Sequence, residues 1–444
     1  MHFRWYRSPS KGVVIFLLPL LIVVLAGCWP FPEHKSSSKP TPIVQTTPSD
    51  TGTPPAVPAT GQLNPKIDAL VPLVFDNMRE HGWNPQTAGL YTNWRMSNPA
   101  QTNLLVVGAD NSLKHDPQVD LFYLQTLADY HALHPQDHQF DSELDKATKV
   151  VLSEVSAYSP FKGWMYAFFQ RSGALTGNQA LENAAQTFAE TIYNKWYDPN
   201  TQLVYNRNAN PGNYQPNLAL QAAYAMIDAG TRANQPAMVD AGKKTIDHVL
   251  AQAIDPQYKM LYNILNVGGP GGQDQVLNNS RYKGYQDKPS IQGEAATALI
   301  LSYNVTHDQK YLDAAYQLIQ AVYTSSLWDQ QYGGFFFALD MDTGKLEASN
   351  KETRSQNLVL IAMHDYDQVM LAEGKQAPFT QQEGQLVSLL TDHFYQSTYH
   401  GFLYRLAPDF QLFNDKSGEG DVFTTEAMGS ATDALQQTEF ALSK

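Results

Sequence analysis

Three acidic side chains stand at the start of helical segments, where each could take part in proton transfer. Asp120 follows Asp116 by four residues, so the two share a face if a helix begins at Pro117. Glu294 closes Ser290-Ile-Gln-Gly-Glu294, just ahead of the apolar run Ala295 to Tyr303. A charge in a helix buried on all sides needs a partner or a task. Glu426, in Val422-Phe-Thr-Thr-Glu426, has the same placement in the last helical segment. Carboxylates from different helices are a minimal kit for general acid–base work. Plainer roles stand beside that one. Asp116 is a helix cap and Asp120 a first-turn dipole partner. Glu294 answers Ser290 in a capping box, and Glu426 is the acidic first turn of a Thr-capped helix.

Other polar groups open helices nearby. Arg354 with Gln356 and Asn357 begins one segment, and Gln215 with Asn217 begins another. Trp94, Tyr262, Phe335 and Tyr404, with Trp83, Trp164 and Tyr205, are flat aromatic surfaces in or near the connections. No spacing of His, Asp or Glu stands out as a metal site, and the single cysteine excludes a cysteine zinc site. No metal or cofactor is expected. The formal charge is −13, with no Lys/Arg run beyond the N-terminus, so nucleic acid is not an expected partner.

The 444 residues, 43% hydrophobic and 16% charged, suit one large folded domain and not a disordered chain. From Pro65 onward apolar residues recur at helical spacing. The pattern predicts helices over 66–80, 117–133, 142–157, 163–174, 178–196, 215–230, 236–253, 289–305, 309–326, 352–370, 380–396 and 422–441. Connections alternate. Those after 117–133, 163–174, 215–230, 289–305 and 352–370 are short. Most others are long: 81–116, 197–214, 254–288, 327–351 and 397–421. Helical hairpins that all turn tightly at one end leave their long loops at the other. Each long loop also starts with a turn and a short aromatic strand, as in Gly89-Leu-Tyr91, Leu203-Val-Tyr205 and Gly401-Phe-Leu-Tyr404. The mean step from Tyr91 to Tyr404 is about 63 residues, one hairpin plus its loop.

Ahead of these helices lie two segments of different character. Arg4, Arg7 and Lys11 precede the apolar run Val13 to Val24, which is shorter than the ~20 residues a membrane-crossing helix needs. The ending Leu25-Ala-Gly-Cys28 resembles the lipobox of bacterial lipoproteins. That resemblance implies cleavage before Cys28, a lipid on Cys28, and anchoring to the outer face of the cytoplasmic membrane. From Trp29 to Asn64 there are eight prolines, many Ser and Thr, and few large aliphatics, so residues 28–64 are expected to be an extended tether.

The phrases Gln292-Gly-Glu-Ala-Ala-Thr-Ala-Leu-Ile-Leu-Ser-Tyr303 and Asn304-Val-Thr-His-Asp-Gln-Lys-Tyr-Leu-Asp-Ala-Ala315 are similar to the hairpins of the six-hairpin glycosidase superfamily. Trp328-Asp-Gln-Gln-Tyr-Gly-Gly-Phe-Phe336 resembles the strand turns of related toroids. The resemblance covers residues 65–444 and implies an all-α (α/α)6 toroid with short aromatic strands on one face. The 117, 163, 215, 289, 352 and 422 helices would form the inner ring, their N-termini opening onto one mouth. The resemblance stops at the fold; in that geometry carbohydrate is the expected ligand, and Asp120, Glu294 and Glu426, by their placement in first turns, are the catalytic candidates. Asp116, Gln215, Arg354 and Asn357 would bind hydroxyls, and Trp94, Tyr262, Phe335 and Tyr404 would stack on sugar rings. Family 76 mannanase-like toroids use two adjacent aspartates, and this chain has no Asp-Asp pair. The expectation is a monomeric, exported glycoside hydrolase. A non-catalytic glycan-binding lipoprotein and a sugar isomerase or polysaccharide lyase are the alternatives.

Overall fold

A computed structural model describes residues 63–440, save 87–88, 103–117, 156–162, 206–211, 270, 278–285 and 414–418. Cys28, the tether and Asp116 lie outside the described residues. Among those described, twelve α-helices carry most of the chain. Six alternate helices make an inner ring: α2 (Gln118–Leu133), α4 (Trp164–Thr176), α6 (Pro216–Arg232), α8 (Pro289–Thr306), α10 (Thr353–Ala372) and α12 (Thr425–Gln437). The outer layer is α1 (Pro65–Asn77), α3 (Asp141–Glu154), α5 (Gln179–Thr191), α7 (Pro236–Gln252), α9 (Gln309–Thr324) and α11 (Thr380–Leu389). The composition of the two rings differs for a physical reason. Outer helices such as α9 bury one stripe, Tyr311, Leu312, Ala315, Leu318, Ile319 and Val322, and leave the other face in water. Inner helices such as α6 are buried almost throughout, so they are rich in Ala.

Five inner helices turn into the next outer helix through a short connection, and two of these connections are well capped. Gly177 ends α4 in the left-handed conformation, φ 64°, and Asn178 then caps α5 by accepting from Ala180 and Leu181. His307, φ 55°, and Asp308 do the same between α8 and α9. The long connections therefore gather at the opposite rim.

The ring closes on itself, α2 packing on α4 and so on round to α12, which packs on α2. Gln436 Nε2 on α12 donates to Thr126 on α2, to its carbonyl and its hydroxyl, both at 2.9 Å. The strand Val422–Thr424 pairs antiparallel with Asn93–Arg95, joining the loop ahead of α2 to the start of α12. At Gly429 a Cβ would meet Phe122 Cβ at 2.7 Å, and at Gly293 one would meet the Leu358 carbonyl at 2.6 Å. Glycine there is what lets neighbouring inner helices approach backbone to backbone.

At the long-loop rim the aromatic strands follow one rule. Trp83 pairs with Leu90, Tyr197 with Val204, Ile254 with Leu261, Trp328 with Phe335 and Tyr395 with Phe402, in each case a residue seven further on. Lys351 ties two of these loops together. Its buried ammonium donates to Asp329 Oδ2 at 2.8 Å, Gly333 O at 2.6 Å and Pro408 O at 2.8 Å.

Several predicted helix ends are corrected. The α1, α5 and α11 helices finish as π-helical turns, at Met78–Gly82, Ile192–Trp196 and Leu390–Phe394, which hand the chain directly to a strand. Residues 422–424 are strand and not the first turn of the last helix, because they pair with 93–95.

Candidate active site

Four inner helices use a residue in their first turns to hold their own aromatic strand. Gln292 Oε1 accepts from Leu261 N at 2.9 Å, and its amide nitrogen donates to Leu261 O at 3.0 Å. Gln356 does the same for Phe335, at 2.7 and 2.9 Å. Asp120 Oδ1 accepts from Leu90 N at 2.8 Å, and Phe402 N lies 3.0 Å from Met428 Sδ. These struts set the rotation of each helix about its axis. The residues two before and two after a strut are four apart and share a face. On α10 they are Arg354 and Leu358, on α12 Glu426 and Ser430, on α8 Ser290 and Glu294. The same register gives Asn217 and Gln221 on α6, and the contacts below show that this face looks into the ring.

Arg354 is the hub. Its guanidinium donates to Glu294 Oε1 through one terminal nitrogen and lies 2.8 Å from Glu426 Oε1 through the other. Asn217 Nδ2 holds the second oxygen of Glu294 at 2.5 Å. Three successive inner helices, with α6 behind them, thus converge on one point. The Arg354 side chain is 33% exposed and that of Glu426 29%, whereas Glu294 is 8% exposed. Burial pulls the Arg354 pKa down, but Glu294 and Glu426 raise it further, so it is a fixed cation. Asn357 Nδ2 donates to Ser430 Oγ at 2.7 Å, and that hydroxyl donates to Glu426 O, steadying the helix under Glu426.

Behind Arg354 lies another charged group. Glu352 is bound by Arg405 at 2.6 and 3.1 Å, with Lys288 at 3.6 Å. Burial works to raise its pKa, and Lys288 and Arg405 outweigh that and hold it at about 2. Across the ring the wall is aromatic. Phe122 on α2 stacks on Trp164 of α4, with ring centroids 5.5 Å apart, and Phe168 stands edge-on to both.

The candidates from sequence divide accordingly. Glu294, Glu426 and Arg354 come together, with Asn357 linked to the Glu426 backbone through Ser430. Among its described contacts Asp120 serves the Leu90 amide, in the register of Gln292 and Gln356. Trp94 and Phe335 are fully buried, Trp94 donating to Asn77 Oδ1 at 3.2 Å and Phe335 packed on Trp328, so their rings are core and offer no face to a ligand. The Tyr262 hydroxyl donates to Asp255 Oδ2 at 2.9 Å, as Tyr205 does to Asp198 at 3.0 Å, a repeated loop tie. Tyr404 lies under the Arg405 guanidinium, 4.5 Å from ring centre to carbon. Gln215 is the half-buried N-cap residue of α6 without a side-chain cap bond. Sequence reasoning missed Phe122, Phe168, Gln221, Ser430 and the Glu352–Arg405–Lys288 group. The signal for Phe122, Gln221 and Ser430 was the strut register. No group of His, Cys, Asp and Glu suited to a metal ion occurs among the described residues.

The chain matches no protein-family model and no curated protein by sequence. Its fold, however, is shared. A heparin-specific unsaturated glucuronyl hydrolase superposes with a TM-score of 0.65 at 13% identity, over 84% of this chain and 96% of that one. A D-mannose isomerase gives 0.62 at 13%, over 86% and 99%. A family-76 α-mannanase of Bacteroides thetaiotaomicron gives 0.60 at 10%, over 84% and 95%. The chain is an all-α (α/α)6 toroid, a fold it shares with these proteins.

Proposed function

We propose that the chain is an exported, lipid-anchored glycoside hydrolase whose reaction takes place at the Glu294–Arg354–Glu426 group. The meeting of two carboxylates from α8 and α12 on one guanidinium carries this reading. Their separation is capped by the width of a guanidinium and two hydrogen bonds. It therefore does not exceed the ~6.5–9.5 Å over which one carboxyl protonates the leaving oxygen while the other activates water. Arg354 positions both, and Asn217 fixes the tilt of Glu294. Asp120 acts in this scheme as a strut, through Leu90.

The test is hydrolysis of a glycan panel by wild type, Glu294→Gln and Glu426→Gln. A loss of 100-fold or more in kcat in both variants is expected. Unchanged rates would remove these two residues, and no turnover of any glycan would remove the class. One observation favours a second reading, a glycan-binding protein without turnover. Both carboxylates are already occupied by Arg354. Binding without hydrolysis would establish it. Anchoring rests on Leu25-Ala-Gly-Cys28, and Cys28→Ser should move the protein from the membrane to the soluble fraction. Retention in the membrane fraction would count against a lipid on Cys28.

A further inference from the structure

Opposite Arg354 the inner ring changes from charged to apolar within two helices. Phe122 and Trp164 lie nearly parallel, 20° between ring planes, and all three rings of the Phe122–Trp164–Phe168 group are half-buried. Because Gly429 admits Phe122 against α12 one turn beyond Glu426, the aromatic wall adjoins the carboxylates. A second observation comes from α6. The amide nitrogen of Asn217 is held by Glu294, while its Oδ1 is buried without a hydrogen-bond partner, and so is Gln221 Oε1 one turn deeper. Asn217 is 5% and Gln221 8% exposed. Gly163, next to Trp164 at the start of α4, packs on the α6 backbone, where a Cβ would meet the Gln221 carbonyl carbon at 2.3 Å, so the α6 acceptors adjoin the aromatic wall. Buried acceptors without donors ask for something that brings hydroxyl protons.

We propose that the space between Phe122, Trp164 and Phe168 on one side and Asn217 and Gln221 on the other is a pyranose subsite for an uncharged sugar. The inference rests on the glycan reading of the site. The C–H face of the ring lies on Trp164, and ring hydroxyls donate to Asn217 Oδ1 and Gln221 Oε1. Because the waiting atoms accept, a uronate or sulfated ring is disfavoured here. Its anionic oxygens have no proton to donate and would face Glu294.

The test measures binding apart from turnover. The full chain carrying Glu426→Gln is titrated calorimetrically with α-1,6-mannotetraose, cellotetraose and tetragalacturonate. At least one neutral tetrasaccharide should bind, tenfold or more tighter than tetragalacturonate, and should quench tryptophan fluorescence. Trp164→Ala should weaken it at least tenfold and Trp164→Tyr should restore most of the loss. Should Trp164→Ala fail to fold, Phe168→Leu takes its place and should weaken binding several-fold. Tetragalacturonate binding as tightly as the neutral sugars, unchanged affinity in a folded Trp164→Ala protein, or no binding of any probe would each overturn the subsite. Trp164-dependent binding in a protein that hydrolyses nothing would defeat the hydrolase reading and leave the subsite standing. Hydrolysis that depends on Glu294 but not on Trp164 would do the reverse.

Discussion

Asp120 Oδ1 accepts the Leu90 amide at 2.8 Å, the same service that Gln292 gives Leu261 and Gln356 gives Phe335. Three inner helices thereby use chemically different side chains for one mechanical purpose. A strut needs an acceptor and no ionisable proton. Asp120→Asn should therefore keep its folding and turnover within about twofold of wild type. Asp120→Ala orphans a buried amide and should cost about 1–3 kcal/mol in denaturant unfolding. A folded Asp120→Asn protein without turnover would show that the carboxylate itself does chemistry.

Removing Arg354 leaves the buried Glu294 beside Glu426 with no cation between them. Arg354→Met should lower stability by about 1–3 kcal/mol, below the full cost of breaking a buried pair because Arg354 is 33% exposed. Turnover should fall more than tenfold. Arg354→Lys should recover stability better than turnover, since an ammonium cannot hold two carboxylates in fork geometry. Equal turnover in Lys and wild-type proteins, measured on the best glycan, would contradict the positioning role.

The ammonium of Lys351 has no exposed side-chain surface and sits 4.2 Å from the Phe410 ring centre while bonding Asp329 and two carbonyls. Lys351→Met abandons a buried carboxylate and two buried carbonyls at once. Urea unfolding should show a loss of about 3–5 kcal/mol. Adding Asp329→Asn should return part of it, and strictly additive losses in this double-mutant cycle would mean the two residues do not act as a pair.

Burial raises the Asp365 carboxyl to about 6, against weaker lowering by His364 and Arg171. The folded chain then holds a proton that the unfolded chain releases above about pH 4, so this group makes stability fall as pH rises from 4 to 6. Asp365→Asn should raise the thermal midpoint at pH 7 by about 2 °C or more and leave it unchanged at pH 4. Glu352, held at about 2, acts in the opposite sense, giving stability above its ordinary range that is lost as pH falls toward 2. A pH 4 to 7 melting series on both proteins separates the two, and parallel curves would refute the Asp365 assignment.

Much of this fold was readable because helical hairpins repeat one local problem. Apolar spacing located every α-helix, and the alternation of short and long connections located the rim. What sequence could not distinguish was the direction in which a polar side chain faces. Asp120 and Glu426 occupy similar acidic first turns, yet one bonds a strand of its own rim and the other meets an arginine from the next helix. Trp94 and Phe335 were misleading for a related reason. A strand aromatic serves equally well as wall or as filling, and both are covered by the helices beneath. The useful signal was register. Once Gln292 and Gln356 are recognised as equivalent, counting two residues either way reaches Glu294 and Arg354.

The pairing of 422–424 with 93–95 has a consequence for how the molecule is made. The last inner helix is the keystone, flanked by α10 and α2, yet it leaves the ribosome after the other five. Until it arrives, the apolar flanks of α2 and α10 stand open like the two ends of a broken bracelet. Losing residues 425–437 would therefore strip away one helix and also expose two of its neighbours, a surface inviting aggregation during synthesis.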